Sequence, residues 1–143
     1  LEQQMPRLAS DDARLLFSQA RVARLATVTG AGAPHLVPVT FVVSADLIFT
    51  AVDAKPKSTT ALRRLDNIRR DPRVALLADH YADDWAGLWW VRADGTAVVL
   101  DSPADQAQPI DMLAARYPQY RQVRPVGPVI RIQVTRWSGW SAS

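Results

Sequence analysis

Between residues 22 and 137 the chain is largely a succession of short runs rich in Val, Leu, Ile and Thr. Each run is cut off by Gly, Pro, Asp or Ser, and this punctuation limits the fold more than any other feature of the sequence. β-Branched side chains fit the pleated surface of a strand, and Gly, Pro and Asp supply the dihedrals of the turns between strands. Residues 22–29 and 35–43 flank the turn Gly30-Ala31-Gly32-Ala33-Pro34, and Ser44-Ala45-Asp46 leads into 47–52, so 22–52 reads as a three-stranded antiparallel meander. Residues 73–79 form a fourth strand. Residues 88–92 and 96–100 read as a hairpin around Asp94-Gly95. The last strand, 129–137, alternates Ile130, Ile132 and Val134 with Arg131, Gln133 and Thr135.

Helices separate these strands. Ser10 is placed to cap a helix over 11–19 with Leu15, Leu16 and Phe17 on or near its buried face. Ser58 or Thr59 caps a second, whose Leu62, Leu65 and Ile68 form an apolar face and which Asp71-Pro72 ends. Ser102-Pro103 opens a third, interrupted at Pro109, whose second part over 110–117 carries Met112, Leu113 and Tyr117. Residues 118–128 read as a loop. Seven short strands with short connections predict a mainly β, α+β fold: a closed or nearly closed antiparallel barrel, in one domain over 1–143. Residues 1–9 are expected to be a flexible N-terminal segment, with Leu1 to Gln4 a remnant ahead of a native start at Met5.

Composition removes several function classes. There is no Cys, which excludes disulfides, thiolate catalysis and Cys-bound metal. The only histidines are His35 and His80, too few for a His-rich metal site, and Asp83-Asp84 has no further ligand at metal-binding spacing; no metal is expected. No apolar run approaches the roughly 20 residues of a membrane span, and the chain reads as cytoplasmic. Its net charge of +3 comes with acids mixed through the chain, without the basic stripe of a nucleic-acid binder. No Gly-x-Ser-x-Gly elbow and no Gly-x-Gly-x-x-Gly after a strand is present, which argues against a hydrolase triad and a Rossmann dinucleotide site.

Two local signals remain. The chain has seventeen basic residues, and the two lysines both lie in Lys55-Pro56-Lys57, just before the hydroxyls of Ser58, Thr59 and Thr60. Ammonium groups beside the free N–H groups and positive dipole of a helix N-terminus suit a phosphate, and Arg63 and Arg64 further along that helix can close on an anion. The alternative is a solvated basic loop capped by its own serine. The second signal is five tryptophans, Trp85, Trp89, Trp90, Trp137 and Trp140. Trp89 and Trp90 are adjacent on a strand and face opposite sides of the sheet, so one enters the core and the other needs a partner chain or a planar ligand on an outer face. An anion-binding loop beside an apolar barrel suits a cofactor that carries the reactivity itself.

The segments 21–28, 32–39, 48–57 and 65–74 resemble the pyridoxamine-phosphate-oxidase-like split-barrel proteins. Asp53-Ala54-Lys55-Pro56-Lys57 and Leu88-Trp89-Trp90-Val91-Arg92 are the specific parts; together with Asp84-Trp85 they resemble the actinobacterial deazaflavin (coenzyme F420)-dependent oxidoreductase branch. The resemblance implies an antiparallel split β-barrel like that of FMN-binding proteins. It also implies a homodimer with the cofactor at the subunit interface, and hydride transfer between reduced F420 and a small electron-poor substrate. By position, His35, Val37, Pro38 and Val39 with Thr50 and Ala51 would line the ring. Lys55, Pro56, Lys57 and Ser58 would hold the phosphate. Trp85, Trp90 and Arg92 would approach from the partner. His35 or Tyr81 would supply a proton. The basic residue eight positions before the Pro is here Arg64, and Asp71 replaces the commoner Asn, which leaves the phosphate between the lysine loop and Arg64. Alternatives within the same fold are an FMN-dependent oxidoreductase and a non-catalytic flavin or deazaflavin carrier.

Overall fold

A computed structural model describes residues 7–52 and 59–142. Its elements run α1 (Ser10–Gln19), β1 (Ala23–Val28), β2 (Pro34–Val39), β3 (Val42–Ser44), β4 (Leu47–Ala51), α2 (Thr59–Arg70), β5 (Arg73–His80), β6 (Trp89–Leu100), α3 (Pro103–Arg116), α4 (Pro118–Gln122) and β7 (Val129–Ser141). Seven antiparallel strands form one sheet in the order β2-β1-β5-β6-β7-β4-β3. This is the mainly antiparallel α+β barrel predicted from the strand punctuation. No helix among the described residues is long and apolar enough to cross a membrane.

The strand count matches, but three strands were divided differently. The expected strand 35–43 is two, β2 and β3, which lie at opposite ends of the sheet order although only Thr40 and Phe41 separate them in the chain. Residues 22–52 are therefore two hairpins, β1–β2 and β3–β4, and not a meander. A two-residue step between the two ends of a sheet requires the sheet to curl round on itself. Local propensity cannot signal such a corner, because both halves are β-rich. The expected hairpin around Asp94-Gly95 is instead a single strand, β6, with a register shift between Asp94 and Gly95. It pairs along its length with β5 on one side and β7 on the other, and these two ladders turn the Asp-Gly signal into a bulge.

The corner at Thr40 and Phe41 is clasped from the C-terminal side. Phe41 is fully buried, its ring 4.8 Å from Phe17, which in turn meets Trp137 edge-on at 5.4 Å. Full burial of such a ring stabilises the fold by about 1.5–3 kcal/mol. The Tyr117 hydroxyl accepts from Phe41 N–H at 3.2 Å and can donate to the carbonyl of Arg21 at 2.9 Å or of Phe41 at 3.0 Å. Arg116 donates to the Phe41 carbonyl at 2.7 Å and to that of Ala20, and its guanidinium lies over the Phe41 ring at 4.9 Å. Burial lowers the Arg116 pKa, with Tyr117 opposing and Arg21 adding to the shift.

The helices differ from expectation mainly at their ends. Ser10 is the first residue of α1 rather than its cap, and the N-cap Ala9 makes no side-chain bond. Ala13 and Phe17 form the buried face of α1, and Leu15 is 60% exposed. Ahead of α1, Arg7 bridges Trp140 and Leu8 N–H donates to the Gly139 carbonyl. Ser102 does cap α3, accepting from Asp105 N–H at 3.2 Å. α3 runs unbroken through Pro109, which is buried with Ile110 and Leu113, so packing carries the helix past the missing N–H. The expected loop 118–128 begins with α4, and the last strand continues past 137 to Ser141.

Replacing Tyr117 with Phe leaves the buried Phe41 N–H without its partner. Tyr117→Phe is expected to lower stability by about 1–3 kcal/mol in urea unfolding. At the exit of α2, side-chain and backbone hydrogen bonds from Arg73 hold the Asp71 carboxyl at about 2, below its ordinary 3.8. A depressed carboxyl stabilises the fold above its unfolded pKa and loses that contribution as pH falls through its folded value. Asp71→Asn is therefore expected to flatten the loss of stability between pH 3.8 and about 2, read by urea midpoints across that range.

Candidate functional site

Strand alternation gives β1 and β2 two chemically different faces. Ala23, Leu25 and Thr27 of β1, with Val37 and Val39 of β2, are buried in the barrel. Arg24 and Ala26, with Leu36 and Pro38, point the other way.

On the outer face lies a groove of about 370 Å³. Ala26 and Ala75 leave room on it, Leu36, Leu77 and Trp90 give it apolar walls, and Arg24 and Arg92 add charge. Leu36 is 65% exposed, an uncovered apolar surface on a sheet. Both arginines are half-exposed and ion-paired, Arg24 with Asp79 at 3.8 Å and Arg92 with Asp94 at 3.1 Å. The Trp90 ring stands edge-on against buried Trp140, with centroids 6.5 Å apart, while neighbouring Trp89 packs on the core. The opposite orientation of the two rings follows the predicted alternation. Gly139 makes the arrangement fit, because a Cβ there would run into the Trp90 carbonyl oxygen and Val91.

The inner side carries different chemistry. α2 packs against β1, where Asn67 Nδ2 donates to Thr27 Oγ1 at 3.1 Å, both residues buried. Thr27 is opposite His35 in the β1–β2 register, and the buried His35 Nδ1 has no hydrogen-bond partner. Arg64 is one helical turn before Asn67. Its Nε is likewise buried and unpartnered. Burial lowers its pKa, and the Tyr120 phenol opposes that shift. Among the described residues no carboxylate pairs with Arg64; a partly desolvated cation is costly to leave unpaired, and an anion beside it removes that cost.

Backbone groups complete the picture. β2 ends the sheet order, so its outer edge has no strand neighbour among the described residues. β3 pairs with Leu47, Ile48 and Phe49 of β4 but not with Thr50 or Ala51. Thr50 is buried, its hydroxyl is committed to the Thr40 carbonyl at 2.6 Å, and it lies opposite Ile130 in the β4–β7 ladder, so that Ala51 turns its backbone to the side β3 no longer covers.

Of the predicted site residues, Trp90 and Arg92 share the groove, whereas Arg64, His35, Val37 and Val39 belong to the inner side. Pro38 faces out. Trp85 is 61% exposed in a short 3-10 turn and Tyr81 is 60% exposed, both outside the groove lining. Lys55, Pro56, Lys57 and Ser58 lie outside the described residues. The sequence reading passed over Arg24, Leu36 and Leu77, although alternation along β1, β2 and β5 was enough to put them on one face once the pairing was known.

A family model described as pyridoxamine 5'-phosphate oxidase matches residues 9–141, nearly the whole chain. The chain belongs to this family. No curated protein sequence matches it. Among solved structures it is similar to an FAD-binding protein from Mesorhizobium loti, at 20% identity over 98% of this chain and 99% of that one, with a TM-score of 0.75. A conserved hypothetical protein from Mycobacterium tuberculosis matches at 25% identity over 94% and 86% of the two chains, with a TM-score of 0.74. An FAD-binding protein from Mycobacterium smegmatis matches at 17% identity over 93% and 94%, with a TM-score of 0.61. Sequence identities this low carry the split-barrel fold and leave the ligand to the site itself.

The close approach at Gly139 sets the position of Trp90. Gly139→Ala is expected to cost about 1–3 kcal/mol and to shift the tryptophan emission, read by thermal unfolding and fluorescence.

Proposed function

We propose that this protein is an oxidoreductase that binds coenzyme F420 and passes hydride between it and a small electron-poor acceptor. The observation that carries the reading is Arg64: a partly buried guanidinium whose buried Nε has no hydrogen-bond partner, on a helix that packs against β1 and β6. A phosphate-bearing planar cofactor fits that combination. The FAD-binding proteins of the same fold support an isoalloxazine-like ring as the ligand. The choice of a deazaflavin over FMN rests on the Asp53-x-Lys55-Pro56-Lys57 and Leu88-Trp89-Trp90-Val91-Arg92 segments.

A reduced deazaflavin supplies a hydride from its central ring carbon. The chain's residues bind, orient and exclude water. Arg64, with Lys55, Lys57 and Ser58, clamps the phosphate. The outer backbone edge of β2 around Val37, Pro38 and Val39, together with Ala51 next to Thr50, would hydrogen-bond the ring edge. His35, with its unpartnered Nδ1, is better placed than exposed Tyr81 to hold a proton within the site.

The sheet separates the inner, Arg64 side from the outer groove of Trp90 and Arg92, so one chain does not offer both to one ligand. A homodimer resolves this. A second copy would cover the exposed Leu36 and Leu77 and bring its Trp90, Arg92 and Trp85 to the open side of the ring.

Titration with F420 and with FMN, followed by tryptophan quenching, tests the proposal. F420 is expected to bind more tightly than FMN, and Arg64→Ala to weaken binding about 10- to 100-fold, the loss of one charge-assisted contact. Lys57→Ala in parallel divides the phosphate between loop and helix. Light scattering is expected to give two chains per particle. Preference for FMN would assign the flavin chemistry instead. Binding with no acceptor-dependent oxidation of the reduced cofactor would assign a carrier.

A further inference from the structure

Resting on the cofactor reading above, we propose that Asn67 of α2 and Thr27 of β1 are positioning residues: their hydrogen bond sets Arg64 against His35, so that both meet one phosphorylated ligand. The interior is otherwise apolar. Among the described residues only Thr27, Thr50 and Asn67 are buried polar residues. Thr50 bonds to the Thr40 carbonyl, and the other two bond to each other, Asn67 Nδ2 donating to Thr27 Oγ1 at 3.1 Å. Asn67 is as deeply buried on α2 as Leu65 and Ile68. A leucine in its place would bury more apolar surface and leave no polar atom to satisfy, so packing does not account for the amide.

The pair has an unpartnered nitrogen on either side. Thr27 is opposite His35 in the β1–β2 ladder, where cross-strand Cβ atoms lie about 5 Å apart. Both residues belong to the inner face, with Val37 and Val39. Arg64 precedes Asn67 by three residues, and positions i and i+3 of a helix are neighbours on one face. His35 Nδ1 and Arg64 Nε are each buried without a hydrogen-bond partner. The four residues therefore form one line from the rim strand β2 to α2, satisfied in the middle and unsatisfied at both ends. The ladder fixes His35 relative to Thr27, and the helix fixes Arg64 relative to Asn67. Apolar contacts of Leu65 and Ile68 hold α2 against the core, but burial is non-directional and does not set the position of the helix along the strand. The Asn67–Thr27 bond is directional and does. A ligand that spans the line satisfies both ends, His35 at its ring and Arg64 at its phosphate.

The test is a binding titration with F420, FMN and riboflavin, which is FMN without its phosphate. Replacing both partners by apolar residues removes the tie and leaves neither group unpaired, so Thr27→Val combined with Asn67→Leu is expected to keep the thermal midpoint. The same variant is expected to bind F420 and FMN about 5- to 20-fold more weakly and riboflavin less than about 2-fold more weakly. Asn67→Asp has the same shape and puts a carboxylate one turn from Arg64; it is expected to weaken F420 and FMN at least as much and to spare riboflavin. Thr27→Ser keeps the acceptor oxygen and is expected to bind as the wild type does. In an Arg64→Ala background the Thr27→Val, Asn67→Leu replacement is expected to cost less than about 2-fold for every ligand, because the contact it positions is already gone. His35→Ala is expected to weaken FMN and riboflavin alike. A purely structural pair would weaken FMN and riboflavin equally, and by the same factor with or without Arg64. That pattern, or unchanged discrimination between FMN and riboflavin in both the double replacement and Asn67→Asp, overturns this proposal and leaves the cofactor reading standing. A wild-type protein that binds neither F420 nor FMN overturns both.

Discussion

The corner at Thr40 and Phe41 is the constraint on which the barrel depends. It joins the two ends of the strand order in two residues, and its backbone polar groups are buried where no strand ladder serves them. Arg116 and Tyr117 satisfy the Phe41 carbonyl and N–H, and Phe17 packs on the Phe41 ring. A buried peptide group left unpaired would cost about as much as this clasp supplies, so the end of α3 and the curl of the sheet are energetically one unit. The same corner sets the site. It fixes Thr40 against Tyr120 and Thr50, and it leaves β2 at the rim with a free backbone edge.

The sheet also acts as a partition. Side chains of β1 and β2 alternate between an interior that meets α2 and an exterior that is apolar, grooved and bordered by arginines. Small residues decide where large ones can go. Ala26 and Ala75 make room for the groove, and Gly139 lets β7 approach β6 closely enough for Trp140 to brace Trp90. The chain is short of side-chain nucleophiles and acid–base pairs, and this is consistent with chemistry delegated to a bound cofactor. Under the proposed reading, the protein's part would be to hold the ring and the phosphate and to offer its exposed apolar face to a second copy of itself.

Much of this was legible in the sequence. Residue types alone placed nearly every strand, because β-branched runs and their turn residues are local signals. Adjacent Trp89 and Trp90 had to face opposite sides, because successive side chains of a strand always do. The motif segments pointed to the family. The errors fall where tertiary pairing overrode a local signal. Asp94-Gly95 is good hairpin chemistry, yet two flanking ladders make it a bulge. Pro109 should break a helix, yet the burial of its neighbours Ile110 and Leu113 holds α3 together.

By itself, then, the sequence determined the β-barrel class, the lack of cysteine and the opposite facing of Trp89 and Trp90. Those properties are set by composition and by the two-residue period of a strand. Only the tertiary structure decided that residues 22–52 split across the two ends of the sheet, that the Arg64 Nε is buried without a hydrogen-bond partner, and that Tyr120, eighty positions from Thr40, shares a hydrogen bond with it. Contacts of that separation depend on how the sheet closes, and closure is a property of all seven strands together, not of any segment read alone.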